Sequence, residues 1–463
     1  MQSQEHQHSN GQGRGQTDSA FLDYYRCPEN LASFELIAPL SKDEGYFRFG
    51  SDAICYGQCS SGFCSDDTKG GLYNTLRDVA ALGATLQLPF RPSDIVANLR
   101  YERYAARTNK GKATQSRMAV LRKAYYYARP FLSSSARQRL QRIGLRDWKD
   151  IPFPEWPLDA TVESIFEKLL ALLLKARCLD RVPFIWFWPE GFSSCAIMTH
   201  DVETLAGRDF CSQLMELDGA HGIKSSFQVI PEERYTIPPA FLDEIRSSGF
   251  EIDIHDLNHD GHLFSNWEQF LRRAERINWY GKEYGAEGFR SAVLYRNLDW
   301  YDALNFDYDM SVPNVGHLEA QRGGCCSIMP FFIDKILELP VTTTQDYSLF
   351  YILKEYSIDL WKRQMARIMG KHGLASFIVH PDYILQWRAR DTYKALLAHL
   401  ADLRSEKKLW IALPREVNHW WRARSQMKLV RRGNDWSIEG PESNKARLAY
   451  AFLDGDHVAY QQA

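Results

Sequence analysis

From Pro183 to about Glu416 the chain repeats one pattern, a short strand-like stretch followed by a stretch with helical spacing. The strand-like stretches are S-C-A-I-M-T, S-S-F-Q-V-I, F-E-I-D-I-H, E-G-F-R-S-A, D-Y-D-M-S, I-L-E-L-P-V, A-S-F-I-V-H and L-W-I-A-L-P. Helices are predicted between most of them, at Gly207 to His221, Ala240 to Ser248, Trp267 to Tyr284, Tyr351 to Lys371 and Arg390 to Glu406. A run of βα units places a parallel sheet beneath helices, and this many strands, with polar groups at several C-terminal ends, favours a barrel over an open sheet.

The polar groups are specific. C-A-I-M-T-H-D-V-E begins as a buried strand and delivers His200, Asp201 and Glu203 where that strand is expected to end. Charge there is either exposed and paired or holds a metal or a proton. The stretch I-D-I-H-D-L-N-H likewise begins as a strand and ends in His255 and His259. Two imidazoles four residues apart on a helical turn, with a carboxylate from another strand, make a facial set for a divalent metal with positions left for water and substrate. His200 and His262 read as structural, and Asp253, between Ile252 and Ile254, as a solvent-facing strand position.

At 463 residues the chain is long enough for a large domain with appendages. A tail is expected at 1–18, an α+β and helical region with basic helices at 19–150, and a proline-rich linker (I-P-F-P-E-W-P) with an entry helix at 151–182. The barrel follows at 183–416, then a helix and β-hairpin extension at 417–463. Lys and Arg (56) balance Asp and Glu (58), so nothing points to nucleic acid, and a neutral or mixed-charge partner is expected. Aromatic residues reach 13%, which suits stacking on sugar rings as well as packing. The nine cysteines do not form a disulfide framework, and Cys55, Cys59 and Cys64 match no standard ligand spacing. No basic-then-apolar leader opens the chain, and Lys residues interrupt its longest apolar run, Phe166 to Ala176. A cytoplasmic protein without a transmembrane segment is expected.

T-H-D-V-E, H-D-L-N-H, F-R-S-A and F-I-V-H-P resemble, in order and spacing, the motifs of the polysaccharide deacetylase (NodB-homology, carbohydrate esterase family 4-like) family, over roughly Pro183 to Arg415. The resemblance implies a distorted (β/α)7-type barrel, here with an N-terminal α+β extension and a small C-terminal β extension. It implies Asp201 as general base, Glu203, His255 and His259 as metal ligands, most simply for Zn2+, Arg290 as the residue orienting the base, and His380 as general acid. The chain departs from the family pattern in three places. Asp-Val-Glu replaces adjacent aspartates, Asp256 stands where Ser or Thr is usual, and Ser291, Ala292 and Val293 replace Pro and an aromatic residue. The implied activity is hydrolysis of an N-acetyl or O-acetyl group on a carbohydrate or N-acylated small molecule. A catalytically silent glycan-binding protein and a hydrolase of non-sugar linear amides are the alternatives.

Overall fold

Strand Ser194–Val202 (β1) is buried along its whole length, and the rest of the barrel is assembled on its two edges. The structure, a computed structural model, describes residues 16–108 and 142–463. Most of the part of 19–150 where basic helices are expected, 109–141, falls outside the described residues, as do residues 1–15 of the N-terminal tail. The remaining parallel strands are Ser226–Val229 (β2), Glu251–His255 (β3), Gly288–Arg290 (β4), Tyr308–Asp309 (β5), Ile336–Glu338 (β6), Leu374–Ile378 (β7) and Leu409–Ala412 (β8). Their order is β6-β5-β4-β3-β2-β1-β7. The first half of β1 pairs with β8 and its second half with β2, along the same edge, while β7 takes the opposite edge. The fold is a distorted (β/α)7-type barrel.

Helices Leu205–Ala220 (α1), Pro239–Ser247 (α2), Trp267–Glu283 (α3), Asp359–Gly370 (α4) and Trp387–Ser405 (α5) cover its outside. Each amphipathic helix buries its apolar side against the outward residues of the strands. Phe210 and Leu214 of α1, for example, join Ala196, Met198 and Val202 of β1 in one cluster. Two connections lack a regular helix. β4 passes to β5 through 3-10 turns, and β5 to β6 through a long excursion that ends in a hairpin strand, Phe331–Ile333, antiparallel to β6. The helix expected from Tyr351 is shorter, because a π turn at Ser348–Leu353 ends in Lys354 with a left-handed backbone before α4 begins.

The gap between β6 and β7 is closed by side chains. Thr342 Oγ1 donates to the Leu374 carbonyl at 2.7 Å and accepts from Ser376 N–H at 2.9 Å, while Thr343 Oγ1 and N–H both donate to the Ser376 carbonyl. Hydroxyls thus replace a ladder that the short β6 cannot supply.

The barrel interior is polar. Glu251, Asp253 and His255 alternate inward along β3, against Ile252 and Ile254 outward. Asp253 is therefore buried rather than solvent-facing. Its carboxylate takes Ser226 Oγ at 2.5 Å, Gln228 Nε2 at 3.2 Å, Tyr308 Oη at 2.9 Å and the Gly288 N–H at 2.8 Å. A Cβ at Gly288 would lie 2.2 Å from the Tyr308 ring and 2.6 Å from Asp253 Oδ1, so only glycine lets that ring cross the barrel floor.

The extensions share the barrel's core. One apolar cluster runs from Phe21 and Phe34 through the entry helix Thr161–Ala176 to Trp188, Trp421 and Ala451. The C-terminal strand Leu448–Asp454 pairs antiparallel with Val182–Ile185. The proline-rich stretch at 151–157 is packed rather than a free linker, with Phe153 buried and Gln364 Nε2 donating to the Pro157 carbonyl at 2.9 Å. Glu102, from the N-terminal region, forms a bidentate pair with Arg296 in the β4–β5 connection, and both side chains are buried. Removing one partner leaves an uncompensated buried charge, so Glu102→Ala is expected to cost about 3–5 kcal/mol of stability. Denaturant unfolding checks this, and a loss under 1 kcal/mol, about the scale of a surface pair, would refute the pair's role.

Candidate metal and acid–base site

β1 does not end before His200. It continues through Val202, so Asp201 points into the barrel from the strand itself, and Glu203 follows at the strand's exit, just ahead of the α1 N-cap Thr204. The alternation sends His200 to the opposite face. There its Nε2 lies 3.0 Å from Asp218 Oδ2 and its Nδ1 2.9 Å from the Val379 carbonyl, a satisfied structural histidine.

Arg290, on β4, is fully buried. Its Nη1 donates to Asp201 Oδ1 at 2.5 Å and to Thr199 Oγ1 at 2.8 Å, and its Nε donates to the Met310 carbonyl at 2.9 Å. Burial alone would raise the Asp201 carboxyl, but the Arg290 guanidinium, aided by His255 and His380, holds it below the usual value. Asp201 Oδ2 is left facing His255 Nε2 at 3.7 Å.

His255 is the last residue of β3, in register with Arg290, whose carbonyl lies 3.2 Å from His255 Nδ1. A carbonyl can only accept, so the ring proton sits on Nδ1 and the Nε2 lone pair faces the barrel mouth. His259 does not follow on a helical turn. Asp256 (φ +58°) and His259 (φ +55°) both take left-handed backbone, and the resulting loop brings the rings to 4.8 Å between centroids. Asp256, where the resemblance leads one to expect Ser or Thr, ties this loop to the next motif. Its N–H donates to the Arg290 carbonyl at 2.8 Å, and its Oδ2 accepts from Ala292 N–H at 3.3 Å.

Glu203 Oε1 lies 2.9 Å from His259 Nε2, 3.5 Å from His380 Nε2 and 3.8 Å from His255 Nε2. Against burial, the neighbouring imidazoles, His259 first and then His255 and His380, hold the Glu203 carboxyl well below its ordinary value. One ligand atom each from Glu203, His255 and His259 lies within 4.8 Å of the others. His255 Nε2 is buried without a hydrogen-bond partner, and His259 Nε2 is buried against the Glu203 carboxylate. Two imidazole nitrogens converging with a carboxylate fit a divalent cation, which would satisfy all three. This is the one such group among the described residues. His262 lies outside it. So do Cys55, Cys59 and Cys64.

His380 follows β7. Its Nδ1 lies 2.7 Å from Asp346 Oδ1, and its backbone N–H donates to Asp346 Oδ2 at 2.7 Å. Although burial lowers an imidazole pKa, the Asp346 carboxylate and Glu203 together raise that of His380 well above its ordinary value. Asp346 was not singled out in the sequence. Its only signal is its place a few residues beyond I-L-E-L-P-V, at the same barrel end as the other carboxylates. Asp382 was also missed. Burial, with Glu203 adding and the His380 charge opposing, pushes its carboxyl to about 6, and its Oδ1 is buried without a partner.

The replaced third motif forms a 3-10 turn, Ala292–Leu294, with Val293 (φ +58°) and Leu294 (φ +51°) both left-handed. Consecutive left-handed backbone at β-branched and bulky residues is strained, and surrounding contacts must hold it. Arg296 Nη1 donates to the Leu294 carbonyl at 2.8 Å, and the Leu294 side chain packs on Val341 and Ile378.

No family model and no curated protein sequence matches the chain. Solved structures similar to it include polysaccharide and peptidoglycan deacetylases and an allantoinase. A Mycobacterium smegmatis protein described as a polysaccharide deacetylase is 17% identical, with a TM-score of 0.42 over 51% of this chain and 93% of that one. Puue allantoinase is 12% identical, with a TM-score of 0.40 over 51% and 92%. Peptidoglycan deacetylase PdaC from Bacillus subtilis is 10% identical, with a TM-score of 0.33 over 50% and 93%. At these values the likeness stops short of an activity, and the functional reading rests on the side chains described above.

Proposed function

We propose that the chain is a metal-dependent hydrolase that removes an N-acetyl group from a carbohydrate or glycan precursor in the cytoplasm. One observation carries the reading: the Nε2 atoms of His255 and His259 and the Glu203 carboxylate converge at the barrel mouth, within reach of the Asp201–Arg290 and His380–Asp346 pairs. Glu203, His255 and His259 would hold a divalent cation, zinc being the simplest choice for this donor set, and that cation would serve as the Lewis acid for water activation and for the acyl oxygen.

Asp201 Oδ2, the oxygen that Arg290 does not hold, takes the proton of the attacking water. Arg290 keeps that carboxylate ionised. The departing nitrogen cannot leave as an anion, so it takes a proton from His380 Nε2. Asp346, on the far ring nitrogen, keeps His380 cationic and fixes its orientation. Aromatic rings adjoin His380, which suits a sugar face. Tyr383 lies 4.6 Å from the His380 ring and packs with Tyr347 and Tyr351, and Trp387, at the start of α5, is 70% exposed.

Metal analysis of the purified protein, followed by acetate release from N-acetylated sugars, tests the reading. Bound metal without acetate release would favour the silent glycan-binding alternative, to which the strained Val293–Leu294 turn lends support. Release from linear amides alone would favour the non-sugar hydrolase.

His380→Ala is expected to remove most turnover on amides, to spare activated esters whose leaving groups need no proton, and to leave metal content unchanged. Equal damage to both substrate classes would make His380 a positioning residue. A raised His380 pKa also means that the acid form survives to high pH, so the alkaline limb of the rate profile lies well above the ordinary imidazole value. Asp346→Asn removes the first cause of that rise and is expected to draw the limb toward lower pH. An unmoved limb would assign it to another group.

A further inference from the structure

Cys59 and Cys64 lie in the loop G-Q-C-S-S-G-F-C that leaves the strand pair Gly45–Arg48 and Ile54–Gly57 of the N-terminal region. Their sulfurs are 3.5 Å apart, in direct contact and unbonded. Cys59 is fully buried, and its backbone is fixed by Ser41. The Ser41 N–H donates to its carbonyl at 3.2 Å, and its own N–H donates to Ser41 Oγ at 3.3 Å. Cys64 is partly exposed and follows a turn at Gly62 (φ +72°). A Cβ at Gly62 would meet nothing within 4 Å, and Phe63 is 64% exposed. Small movements there can bring the sulfurs to bonding distance of about 2.05 Å.

The geometry points to Cys59 and Cys64 as a redox-active pair that a peroxide converts into a disulfide, a modification site separate from the barrel chemistry. The other described cysteines differ. Cys27 is buried and its thiol is pushed up to about 12, and Cys55, Cys195, Cys211, Cys325 and Cys326 are pushed up further by burial. Those thiols are inert. In the pair, the hydrogen bond between the sulfurs lowers one thiol, Cys59 to about 6, and raises its partner Cys64, so the pair shares one proton and carries one thiolate near neutral pH.

The reaction balances within the pair. Transfer of the shared proton to Cys59 places the anion on the accessible Cys64 sulfur, which attacks a peroxide oxygen. The O–O bond breaks, the leaving oxygen departs as water, and Cys64 becomes a sulfenic acid. Cys59 sulfur, its proton already given to the first water, then attacks Cys64 sulfur, and the S–O bond breaks as hydroxide leaves and takes a proton from solvent to become a second water. Two thiols lose two electrons and two protons, and the peroxide takes them up. The disulfide ties the two ends of the loop beside Ser65, which bridges to Tyr46.

The test uses the full chain, reduced, freed of reductant and exposed to hydrogen peroxide, then alkylated and mapped by peptide mass spectrometry. Both thiols should lose alkylation together, and one crosslinked peptide joining Cys59 and Cys64 should appear while exposed Cys178 still alkylates. Reduction should restore both. In Cys59→Ser a sulfenic acid on Cys64 should persist and be trapped by dimedone. The proposal is overturned if wild-type Cys59 and Cys64 remain fully alkylatable after Cys178 has oxidised, or if either pairs with another cysteine. The wild-type measurement decides the matter even where a variant fails to fold.

Discussion

Replacing His255 or His259 with alanine is expected to abolish tight divalent-cation binding and to lower hydrolysis by about 10²–10³-fold or more, the scale on which removal of one preorganised electrostatic group acts. Each substitution removes one of the two converging Nε2 atoms and leaves Glu203 with a single imidazole to share the cation. The frame around them should persist. His255 is held in register with Arg290 by the β3–β4 ladder, and the His259 carbonyl is held by Arg234 Nη2 at 2.6 Å. Loss of metal should therefore occur with little loss of folded protein, measured as metal equivalents per chain beside thermal unfolding. A variant lacking both imidazoles that still binds one tight equivalent would place the metal elsewhere.

The barrel is legible in the sequence because parallel strands buried on both faces read as short apolar runs, as in S-C-A-I-M and A-S-F-I-V. What is hidden follows from the polar interior. Alternation of Asp253 with two isoleucines looks like a half-exposed strand, but the inward face is lined by Ser226, Gln228 and Tyr308, which satisfy a buried carboxylate. The same interior lets β1 run on through His200 and Asp201, where polarity suggests an end. The spacing of His255 and His259 is helical, yet two left-handed residues produce the same approach from a loop. Closure through Thr342 and Thr343, and the pairing of Glu102 with Arg296 across 194 residues, depend on contacts that no local pattern encodes. Asp346 belongs with them, since its role exists only once β7 brings His380 beside it.

Asp201→Asn is expected to lower turnover by about 10²–10⁴-fold, the loss that follows removal of a positioned general base, while metal content stays near one equivalent. The side-chain oxygen of the variant can still accept from Arg290 Nη1, so the geometry of β1 against β4 is kept and the charge is lost. That loss leaves the fully buried guanidinium unpaired, so a stability decrease of about 3–5 kcal/mol should accompany it, and turnover must be normalised to folded protein. The pH dependence carries the same sign. The depressed Asp201 pKa contributes stability that is present above the ordinary carboxylate value and lost as pH falls through the depressed one, so the wild-type advantage over the variant should shrink in acid. Glu203→Gln should behave in the opposite way toward metal, because it removes the one anionic ligand and leaves the Asp201–Arg290 pair intact. Equal loss of metal in the two variants would mean that Asp201 is itself a ligand, and the base would then have to be sought among the remaining carboxylates at the barrel mouth, Asp382 first.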